Sequence, residues 1–383
     1  MLNGHKFIGW IPLYFIKFGK QHAMSKIFVG NHIFTFDQIH IGDWPSLSAY
    51  IDEALGFCRE WLLGTDYFWL QTSGSTGIPK KIKVHREQMT ISANATRNFF
   101  KIQEEADLLC CLNTQMIGGK MMLVRAMEWK SNLYLVEPTS DPLAAFGMSQ
   151  PFDFAAMVPF QVETSLDNSH SSQMLTHIKN LIIGGAPIKN DLMARVAKLP
   201  INVYQTFGMT ETVSHVALAK ISTDGELIYH ALPGVHLSIG ANSNLIISAP
   251  MAIEKTIHTN DIVSLINDHS FKWKGRSDFT INSGGIKIQP EEVEKTISKE
   301  LGEYLQGKRF FIFGEKNENF GQIICLLVED ASVSDRQSEF LIQKMKEKMS
   351  RYQVPKKVFF LNSFEITASG KINRPATLEK LSL

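Results

Sequence analysis

A chain of 383 residues is long enough to form two or more domains around a large hydrophobic core. Its 39 basic and 38 acidic residues leave a net charge of +1, which gives no electrostatic reason to expect a nucleic-acid partner. The 4 cysteines form no CxxC pair, which argues against a zinc site or a disulfide framework and favours reduced core thiols in a cytoplasmic protein.

Residues 1–23 are expected to be a disordered or non-native extension ahead of the folded chain. The apolar run at 7–16 is too short for a membrane span, which needs about 20 residues, and Pro12 interrupts it. No cleavage site of small residues follows this run, so the sequence predicts neither a membrane span nor a signal peptide. A more ordinary sequence begins at Met24.

A loop rich in glycine and hydroxyl groups follows a predicted buried strand at 67–70. Its glycines allow close backbone approach, and its hydroxyls and lysine offer donors to phosphate oxygens. The spacing differs from the common phosphate-binding loop, because Pro79 stands where that motif has glycine. A solvated hairpin is the alternative for this loop taken alone. The candidate phosphate-binding residues are Thr72, Ser73, Gly74, Ser75, Thr76, Gly77 and Lys80.

Short strands alternate with helices through the first two thirds of the chain, which predicts an α/β fold layered around a mainly parallel sheet. The predicted strands are 107–112, 132–136, 154–158, 180–183 and 201–204, and the predicted helices are 86–100, 118–129 and 190–199. From 232 to 265 the pattern becomes β-rich, with strands at 237–239, 245–248 and 262–265. Because ligands bind at the carboxyl edge of such sheets, the loops after the strands are the candidate sites.

The last part of the chain predicts a separate small α+β domain. Its helices are expected at 291–301 and 335–350, and its strands at 310–313 and 323–328. We place the boundary near Asp278, so that 24–277 forms a large domain and 278–383 a small mobile domain.

Five further motifs follow the loop in order, at 204–212, 259–261, 275–278, 283–294 and 369–374. Together with the loop they resemble the adenylate-forming superfamily, which includes acyl- and aryl-CoA ligases, luciferases and peptide-synthetase adenylation domains. The resemblance runs from about residue 68 to the C-terminus. It implies that the large domain binds AMP and that the small domain acts as a mobile lid.

The resemblance assigns nucleotide contacts to residues in several of these motifs. Tyr204 would lie against adenine, Thr210 would contact the α-phosphate, and Glu211 would bind Mg²⁺. Asp261 would accept both ribose hydroxyls, and Arg276 would donate to ribose or phosphate. Each assignment has an alternative when its motif is ignored. Tyr204 could be a core tyrosine and Glu211 a solvated charge. Segment 184–186 could be a plain strand–helix turn. The other residues assigned to ATP or AMP are Gly184, Gly185, Ala186, Gln205, Thr206, Phe207 and Gly208.

The resemblance gives Lys371 the central catalytic role. Acyl adenylation brings a carboxylate against an α-phosphate, and these two anions repel each other. A lysine that reaches both groups neutralises the charge of the transition state and orients the attack. The alternative for Lys371 is an ordinary surface lysine in a tail turn.

Two half-reactions at one site are implied by the resemblance. A small-molecule carboxylate attacks the α-phosphate of Mg·ATP and gives acyl-AMP and pyrophosphate. The small domain then turns about a hinge at Asp278, withdraws Lys371 and presents Gly284 and Gly285. The thiol of coenzyme A (CoA) attacks the acyl carbon and AMP leaves.

The acyl pocket is expected to contain Lys120, Arg125, Gln161, Met209 and His215. Two cations within 113–125 point to a substrate with a second anionic group, although each alone could lie on the solvent face of a helix. Segments 113–125, 157–161 and 208–215 resemble compact o-succinylbenzoate–CoA ligases of menaquinone biosynthesis, whose substrate has two carboxylates and a ketone. Some members place an arginine where 162–164 has none, so the second carboxylate would need Arg125 or Lys120 here.

Other readings stay open beside this one. They are a ligase for another aryl or short acyl acid, an adenylating enzyme that loads a carrier protein, and a non-catalytic adenylate-binding sensor. The presence of Lys371 and Glu211 argues against the sensor. Only 71 residues precede the loop, so the start of the large domain is expected to be shortened relative to larger members. The oligomeric state is left open, with a homodimer as one option.

Overall fold

The computed structural model describes residues 25–71, 81–305, 307–330, 335–367 and 372–381. The predicted extension at 1–23 therefore lies outside the described residues. So do the predicted phosphate-binding residues at 72–80 and the predicted catalytic Lys371.

Helices and strands alternate along the first part of the chain. Up to residue 130 they are β1 (Lys26–Val29), β2 (His32–Thr35), α1 (Phe36–Ile41), α2 (Ala49–Leu62), β3 (Tyr67–Gln71), β4 (Lys81–His85), α3 (Arg86–Phe100), β5 (Asp107–Cys110) and α4 (Ile117–Trp129). From there to residue 208 they are β6 (Asn132–Leu135), β7 (Phe152–Met157), α5 (Pro159–Asp167), α6 (Ser169–Leu175), β8 (Ile178–Ile183), α7 (Asn190–Val196) and β9 (Asn202–Gly208).

Consecutive strands follow, and then a smaller mixed region. The consecutive strands are β10 (His215–Lys220), β11 (Tyr229–Ala231), β12 (His236–Ile239), β13 (Asn244–Ser248), β14 (Ile257–Asn267) and β15 (Ser270–Arg276). The mixed region contains β16 (Ile281–Ser283), β17 (Ile286–Ile288), α8 (Pro290–Leu305), β18 (Phe310–Asn317), β19 (Gly321–Glu329), α9 (Asp335–Lys348), β20 (Lys357–Leu361) and α10 (Arg374–Glu379).

One large sheet joins the α/β part to the β-rich part. Among the described residues its order is β12-β13-β14-β15-β11-β10-β9-β8-β7-β5-β6-β1-β2. The run from β9 to β1 is parallel, and the run from β9 to β12 is antiparallel. The predicted layered α/β fold with a β-rich second part is confirmed. The structure adds that both parts share one continuous set of strand hydrogen bonds.

Helices cover both faces of the parallel strands, which explains their nearly continuous apolar sequences. Leu108 and Phe154 pack in a core with α3 and α4. Leu109 and Ala155, the neighbours of these residues on β5 and β7, pack in a second core with α5, α6 and α7. Since successive strand residues point to opposite faces, the two cores lie on the two sides of the sheet.

Helix α4 is buried around most of its circumference. Its buried residues include Met121, Val124, Arg125 and Trp129. Gly119 allows the helix to begin close to β5, because a Cβ built there would lie 2.4 Å from the Asn113 carbonyl oxygen. A helix so enclosed places any polar residue on it in the protein interior.

The strand predicted at 67–70 is present but is buried on one face only. It is β3, which pairs with β4 in a separate two-stranded sheet. Phe68 and Leu70 are buried, whereas Tyr67 and Trp69 are 46% and 62% exposed. The strand forms a hairpin outside the large sheet, so alternate side chains face solvent.

A second sheet begins at Ile281, shortly after the predicted boundary at Asp278. It has the order β17-β16-β19-β18, with β20 beside β19. Helix α8 buries a stripe against it, formed by Val293, Ile297, Leu301 and Leu305. The division into two domains stays a prediction. None of the described helices is both long and apolar enough to cross a membrane.

Candidate active site

The carboxyl ends of the parallel strands bring several predicted segments to one edge of the large sheet. Strand β7 leads into Val158, β8 into Gly184, and β9 ends at Gly208. Parallel neighbours end at the same edge, so the segments that follow these strands lie side by side. This is the edge at which open α/β sheets bind their ligands.

Close backbone approach explains the glycines after β8. A Cβ built on Gly184 would lie 2.5 Å from Thr206 Oγ1, so a side chain there would require the Thr206 hydroxyl to move. Gly185 adopts φ +85°, a left-handed conformation that favours glycine. Ala186 follows in the same turn. The geometry accounts for the glycines, while the contact of 184–186 with nucleotide stays a prediction.

An unusual turn follows β9. Val213 adopts φ 65° and ψ −48°, and the Ser214 N–H donates to the Thr212 carbonyl at 2.7 Å. Such a γ-turn costs about 1–3 kcal/mol for a residue with a side chain, and strain of this kind is typical of functional sites. The Thr212 hydroxyl braces the turn by donating to the Ser214 carbonyl at 2.7 Å. Gly208 lies directly against this turn, because a Cβ built on it would be 2.4 Å from the Ser214 carbonyl oxygen.

Arg125 extends from α4 to this turn. It is 1% exposed, and its Nη2 donates to Ser214 Oγ at 3.0 Å. Its guanidinium carbon lies 5.7 Å from the centroid of the Phe154 ring. Its Nε has no hydrogen-bond partner, and no carboxylate among the described residues pairs with it. A buried cation with an unmatched donor is costly, so an anionic ligand would stabilise it.

Hydrogen bonds continue from Arg125 to His215. Ser214 Oγ lies 3.3 Å from His215 Nδ1, and His215 Nε2 lies 3.1 Å from Thr96 Oγ1. The Thr96 hydroxyl donates to the Ser92 carbonyl at 3.1 Å, so it accepts from His215 Nε2–H. His215 Nδ1 then accepts from Ser214, whose oxygen accepts from Arg125. The network assigns the neutral Nε2–H tautomer to His215.

Burial and charge act together to keep His215 neutral. The pKa of His215 is lowered well below 6.5, first by burial and then by the positive charge of Arg125. Burial also lowers the pKa of Arg125 to about 10, which leaves the guanidinium charged at pH 7. The cluster of Arg125, Ser214, His215 and Thr96 therefore carries one positive charge, on Arg125.

The second predicted cation, Lys120, lies elsewhere on α4. Its Nζ is 4.9 Å from the centroid of the Phe57 ring on α2. Burial lowers the pKa of Lys120, while Glu53 and Glu60 raise it. Five residues advance a helix by about 140° beyond a full turn, so Lys120 and Arg125 face different sides. The structure does not bring Lys120 to the Arg125 cluster.

Gln161 ties together the loops at the carboxyl edge. Its Nε2 donates to the Cys111 carbonyl at 2.9 Å and to the Thr139 carbonyl at 3.1 Å. Its Oε1 accepts from the Val158 N–H at 3.1 Å. The buried Gln161 amide therefore uses its hydrogen bonds on backbone groups and holds these loops in place. Its contact with an acyl group stays a prediction.

The 3₁₀ turn after β9 carries the predicted metal ligand. The Glu211 carboxylate makes no hydrogen bond or ion pair with another described residue, while its backbone carbonyl accepts from the Ile253 N–H at 2.9 Å. A free carboxylate on a fixed backbone fits a hard cation such as Mg²⁺. Thr210 precedes it and is half-buried, and Met209 packs against the core.

The aromatic residues of β9 are partly buried and pack against the core. The Tyr204 ring meets the rings of Phe99 and Phe100 edge to face, with centroids 5.4 and 5.3 Å away. The Phe207 ring packs 5.0 Å from a buried phenylalanine of β15. Gln205 is buried, and its Oε1 has no hydrogen-bond partner. A contact between adenine and 204–208 stays a prediction.

Asp261 and Arg276 lie opposite each other on β14 and β15. The Trp273 indole N–H donates to Asp261 Oδ1 at 2.8 Å, which leaves Oδ2 for a ligand hydroxyl. Burial raises the pKa of Asp261, while Trp273 and Arg276 lower it. Arg276 Nη2 pairs with Asp278 Oδ2 at 2.5 Å. The predicted ribose residues and the predicted hinge residue thus form one charged group.

Gly284 and Gly285 form the two-residue turn between β16 and β17. Their φ values of +58° and +81° match a type I′ hairpin turn, which requires positive φ at both positions. The Gly284 N–H donates to the Phe320 carbonyl at 2.9 Å, which ties this turn to the one between β18 and β19. The contact of Gly284 and Gly285 with CoA stays a prediction.

The predicted phosphate loop and Lys371 lie outside the described residues, but the described residues beside them are paired. Gln71 pairs with Lys81 across β3 and β4. Ile366 pairs with Ile372 in an isolated bridge. These two pairings are what the structure shows next to the predicted phosphate and lysine motifs.

Sequence reasoning named Val213 and Ser214 only as part of the segment 208–215, and it gave Thr96 no role. The backbone turn at Val213 leaves no sequence signature, because β-branched residues rarely adopt positive φ. Thr96 offered a signal, since it lies on the apolar face of α3 seven residues after Met89. A hydroxyl at such a position needs a buried partner, and that partner is His215.

Known proteins match this chain over most of its length. The AMP-binding enzyme family matches residues 64–239. An acyl-CoA synthetase (AMP-forming)/AMP-acid ligase II-like protein from Dyadobacter fermentans has a solved structure that is 36% identical to the chain, with a TM-score of 0.60. The match covers 90% of this chain and 97% of that one.

Relatives with named substrates are more distant. A 2-succinylbenzoate–CoA ligase from Listeria monocytogenes is 25% identical over 347 residues, which cover 84% of this chain and 72% of the relative. The o-succinylbenzoate CoA synthetase from Bacillus subtilis, solved with ATP and magnesium ion, is 20% identical with a TM-score of 0.66. That match covers 81% of this chain and 69% of the other, and it shows a shared fold.

Proposed function

The chain belongs to the AMP-binding enzyme family, the AMP-forming acyl-CoA synthetases and acid ligases, and we propose that it joins o-succinylbenzoate to CoA in menaquinone biosynthesis. It is an acid–CoA ligase that uses ATP, Mg²⁺ and CoA. The curated relatives that share most of its length are 2-succinylbenzoate–CoA ligases, which supports this choice of acid.

The observation that carries the choice of acid is the buried guanidinium of Arg125. Its Nε lacks a partner, and Ser214 is its one hydrogen-bonded oxygen among the described residues. A monocarboxylic acid would place its only carboxylate at the α-phosphate, so the Arg125 guanidinium would gain no anionic partner. An acid with a second carboxylate would pair with Arg125 while the first reacts.

The residues around Arg125 would orient the acid for the first half-reaction. Arg125 and Ser214 would hold one carboxylate and so direct the other toward the α-phosphate. The reacting carboxylate is already ionised at pH 7, so no general base is needed. Asp261 Oδ2 would accept from a ribose hydroxyl.

The phosphates would be held by groups from three parts of the chain. Glu211 would ligate Mg²⁺, which when bound neutralises phosphate charge. We assign the β- and γ-phosphates to 72–77 and Lys80, and the transition-state charge to Lys371. Tyr204, Thr206 and Phe207 would border the adenine.

Transfer to CoA would follow a rotation of the segment 278–383 about Asp278. The Arg276–Asp278 pair marks the point where β15 gives way to the second sheet, so few backbone torsions would need to change there. The turn at Gly284 and Gly285 would then face the acyl group. A cytoplasmic location fits the need for ATP and CoA, and the buried free thiols Cys58, Cys110, Cys111 and Cys325 fit a reducing compartment.

A ligase for a different dicarboxylic acid is the second candidate, because Arg125 would pair with any second carboxylate. The test is carboxylate-dependent pyrophosphate release with ATP and Mg²⁺, with and without CoA. Release on o-succinylbenzoate, with its CoA thioester as product, supports the proposal. Release on another dicarboxylate instead would keep Arg125 in its role and discard the menaquinone assignment. Release on benzoate or short fatty acids alone would overturn both.

A further inference from the structure

A cluster of metal-ligand side chains lies on the surface away from the candidate active site. Among the described residues, His236, Asp268 and His269 place one ligand atom each within 4.8 Å of one another. His236 begins β12, and the other two form the turn between β14 and β15. That turn lies about 20 Å along β14 from Asp261, so the cluster is separate from the nucleotide residues.

Backbone hydrogen bonds fix the positions of all three residues. The Leu237 N–H donates to the Asp268 carbonyl at 3.0 Å, which joins β12 to the turn. The Ala231 N–H donates to the His269 carbonyl at 2.8 Å, and His236 pairs with Ser248 across β12 and β13. Only side-chain rotation is therefore needed to bring the three ligand atoms onto one ion.

The side chains are already turned toward each other. The rings of His236 and His269 have centroids 5.6 Å apart, and His269 Nε2 lies 3.5 Å from Asp268 Oδ2. Two ligands on one Zn²⁺ ion are at most about 4 Å apart, given bonds of about 2.0–2.1 Å. Small side-chain rotations would close the remaining distance.

The ligand chemistry favours a transition metal over magnesium. Two imidazole nitrogens and one carboxylate suit Zn²⁺, Co²⁺ or Ni²⁺, whereas Mg²⁺ prefers oxygen ligands alone. All three residues are exposed, so water can complete the coordination. We propose that His236, Asp268 and His269 bind one Zn²⁺-type ion that joins the edge strand β12 to the β14–β15 turn.

Zn²⁺ titration of the full chain without an affinity tag tests the proposal. Isothermal titration calorimetry is expected to show one saturable site in the wild type. The site is expected to be lost in His236→Ala and His269→Ala and weakened at least tenfold in Asp268→Asn. His258→Ala is the matched control, because His258 is an exposed histidine of the same sheet outside the cluster. It is expected to bind Zn²⁺ like the wild type.

A second readout does not depend on heat of binding. Zn²⁺ is expected to raise the unfolding temperature of the wild type and of His258→Ala, because an ion that binds only the folded chain stabilises it. Zn²⁺ is expected to leave the unfolding temperature of His236→Ala unchanged. Pyrophosphate release by His236→Ala at saturating Mg²⁺ would confirm that this variant is folded. Equal Zn²⁺ binding by the wild type and both histidine variants, or no saturable binding by the wild type, would overturn the proposal.

Discussion

Arg125 is a buried cation that we propose selects a substrate with a second carboxylate. Arg125→Met is expected to lower kcat/KM for o-succinylbenzoate about 10–100-fold, because a hydrogen bond to a charged group contributes about 1.5–3 kcal/mol. Analogues that lack one carboxylate, 3-benzoylpropionate and 2-butyrylbenzoate, should lose little. Steady-state kinetics on the three acids measure the difference.

Two comparisons make this prediction specific. Lys120→Met changes a cation on the other side of the same helix and should leave the ratio between the acids unchanged. Arg125→Met should also unfold at the same temperature as the wild type or higher, because it removes a buried charge that no carboxylate of the described residues neutralises. An equal loss of activity on dicarboxylates and monocarboxylates would contradict the role of Arg125.

His215 should make stability depend on pH. Its pKa in the folded chain lies well below 6.5, its usual value, so the unfolded chain binds the proton more readily. The stabilisation that neutral His215 contributes is fully present above pH 6.5. Below that pH the free energy of unfolding falls by about 1.4 kcal/mol per pH unit. Urea unfolding at pH 5.5 and 7.5 should therefore show a larger loss in the wild type than in His215→Gln. Identical losses in the two proteins would count against a neutral buried His215.

At the scale of elements, the contact between β8 and β9 depends on a missing side chain. Gly184→Ala places a Cβ 2.5 Å from Thr206 Oγ1, so the Thr206 side chain or the 184–186 turn must shift. Overpacking of this kind costs about 1–3 kcal/mol, and displacement of 184–186 should raise the KM for ATP. Gly147→Ala is the control, because nothing lies within 4 Å of the added atom. Chemical denaturation gives the free energy of unfolding of both variants, and steady-state kinetics give their KM for ATP. Equal values for Gly184→Ala and Gly147→Ala would refute the prediction.

In the proposed mechanism the molecule carries out two half-reactions at one site, and Lys371 acts only in the first. Lys371→Ala should lower the rate of adenylation at least about 100-fold, because it removes charge stabilisation from that transition state. It should spare thioester formation from preformed acyl-AMP and CoA. Pyrophosphate exchange and single-turnover thioester formation measure the two steps separately. Equal loss in both would argue that Lys371 acts through folding or through a different step.

Local pattern was enough to predict much of the fold. Helix α3 was predicted at 86–100 and spans Arg86–Phe100, because its apolar spacing fits one helix face. The helix predicted at 190–199 is shorter in the structure, where it spans Asn190–Val196. Strand 262–265 is the middle of β14, which runs Ile257–Asn267 because the pairing with β13 and β15 extends it at both ends.

The candidate site was predicted less completely than the fold. Lys120 and Arg125 look alike in sequence, and only the packing of α4 against α2 and the sheet separates them. Gln161 reads as a ligand residue, yet its amide is bonded to three loops of the protein itself. Which polar group stays free depends on partners that are distant along the chain.

By itself the sequence determined the family, the α/β class and the order of the elements, because motif spacing and apolar period are local properties of the chain. The tertiary structure decided which buried cation has no carboxylate partner among the described residues and which histidine is held neutral. Arg125, Ser214, His215 and Thr96 come from α4, the turn after β9, β10 and α3, and they meet only when the sheet assembles. Burial and the energy of an unpaired charge are properties of that assembly, so no local pattern could reveal them.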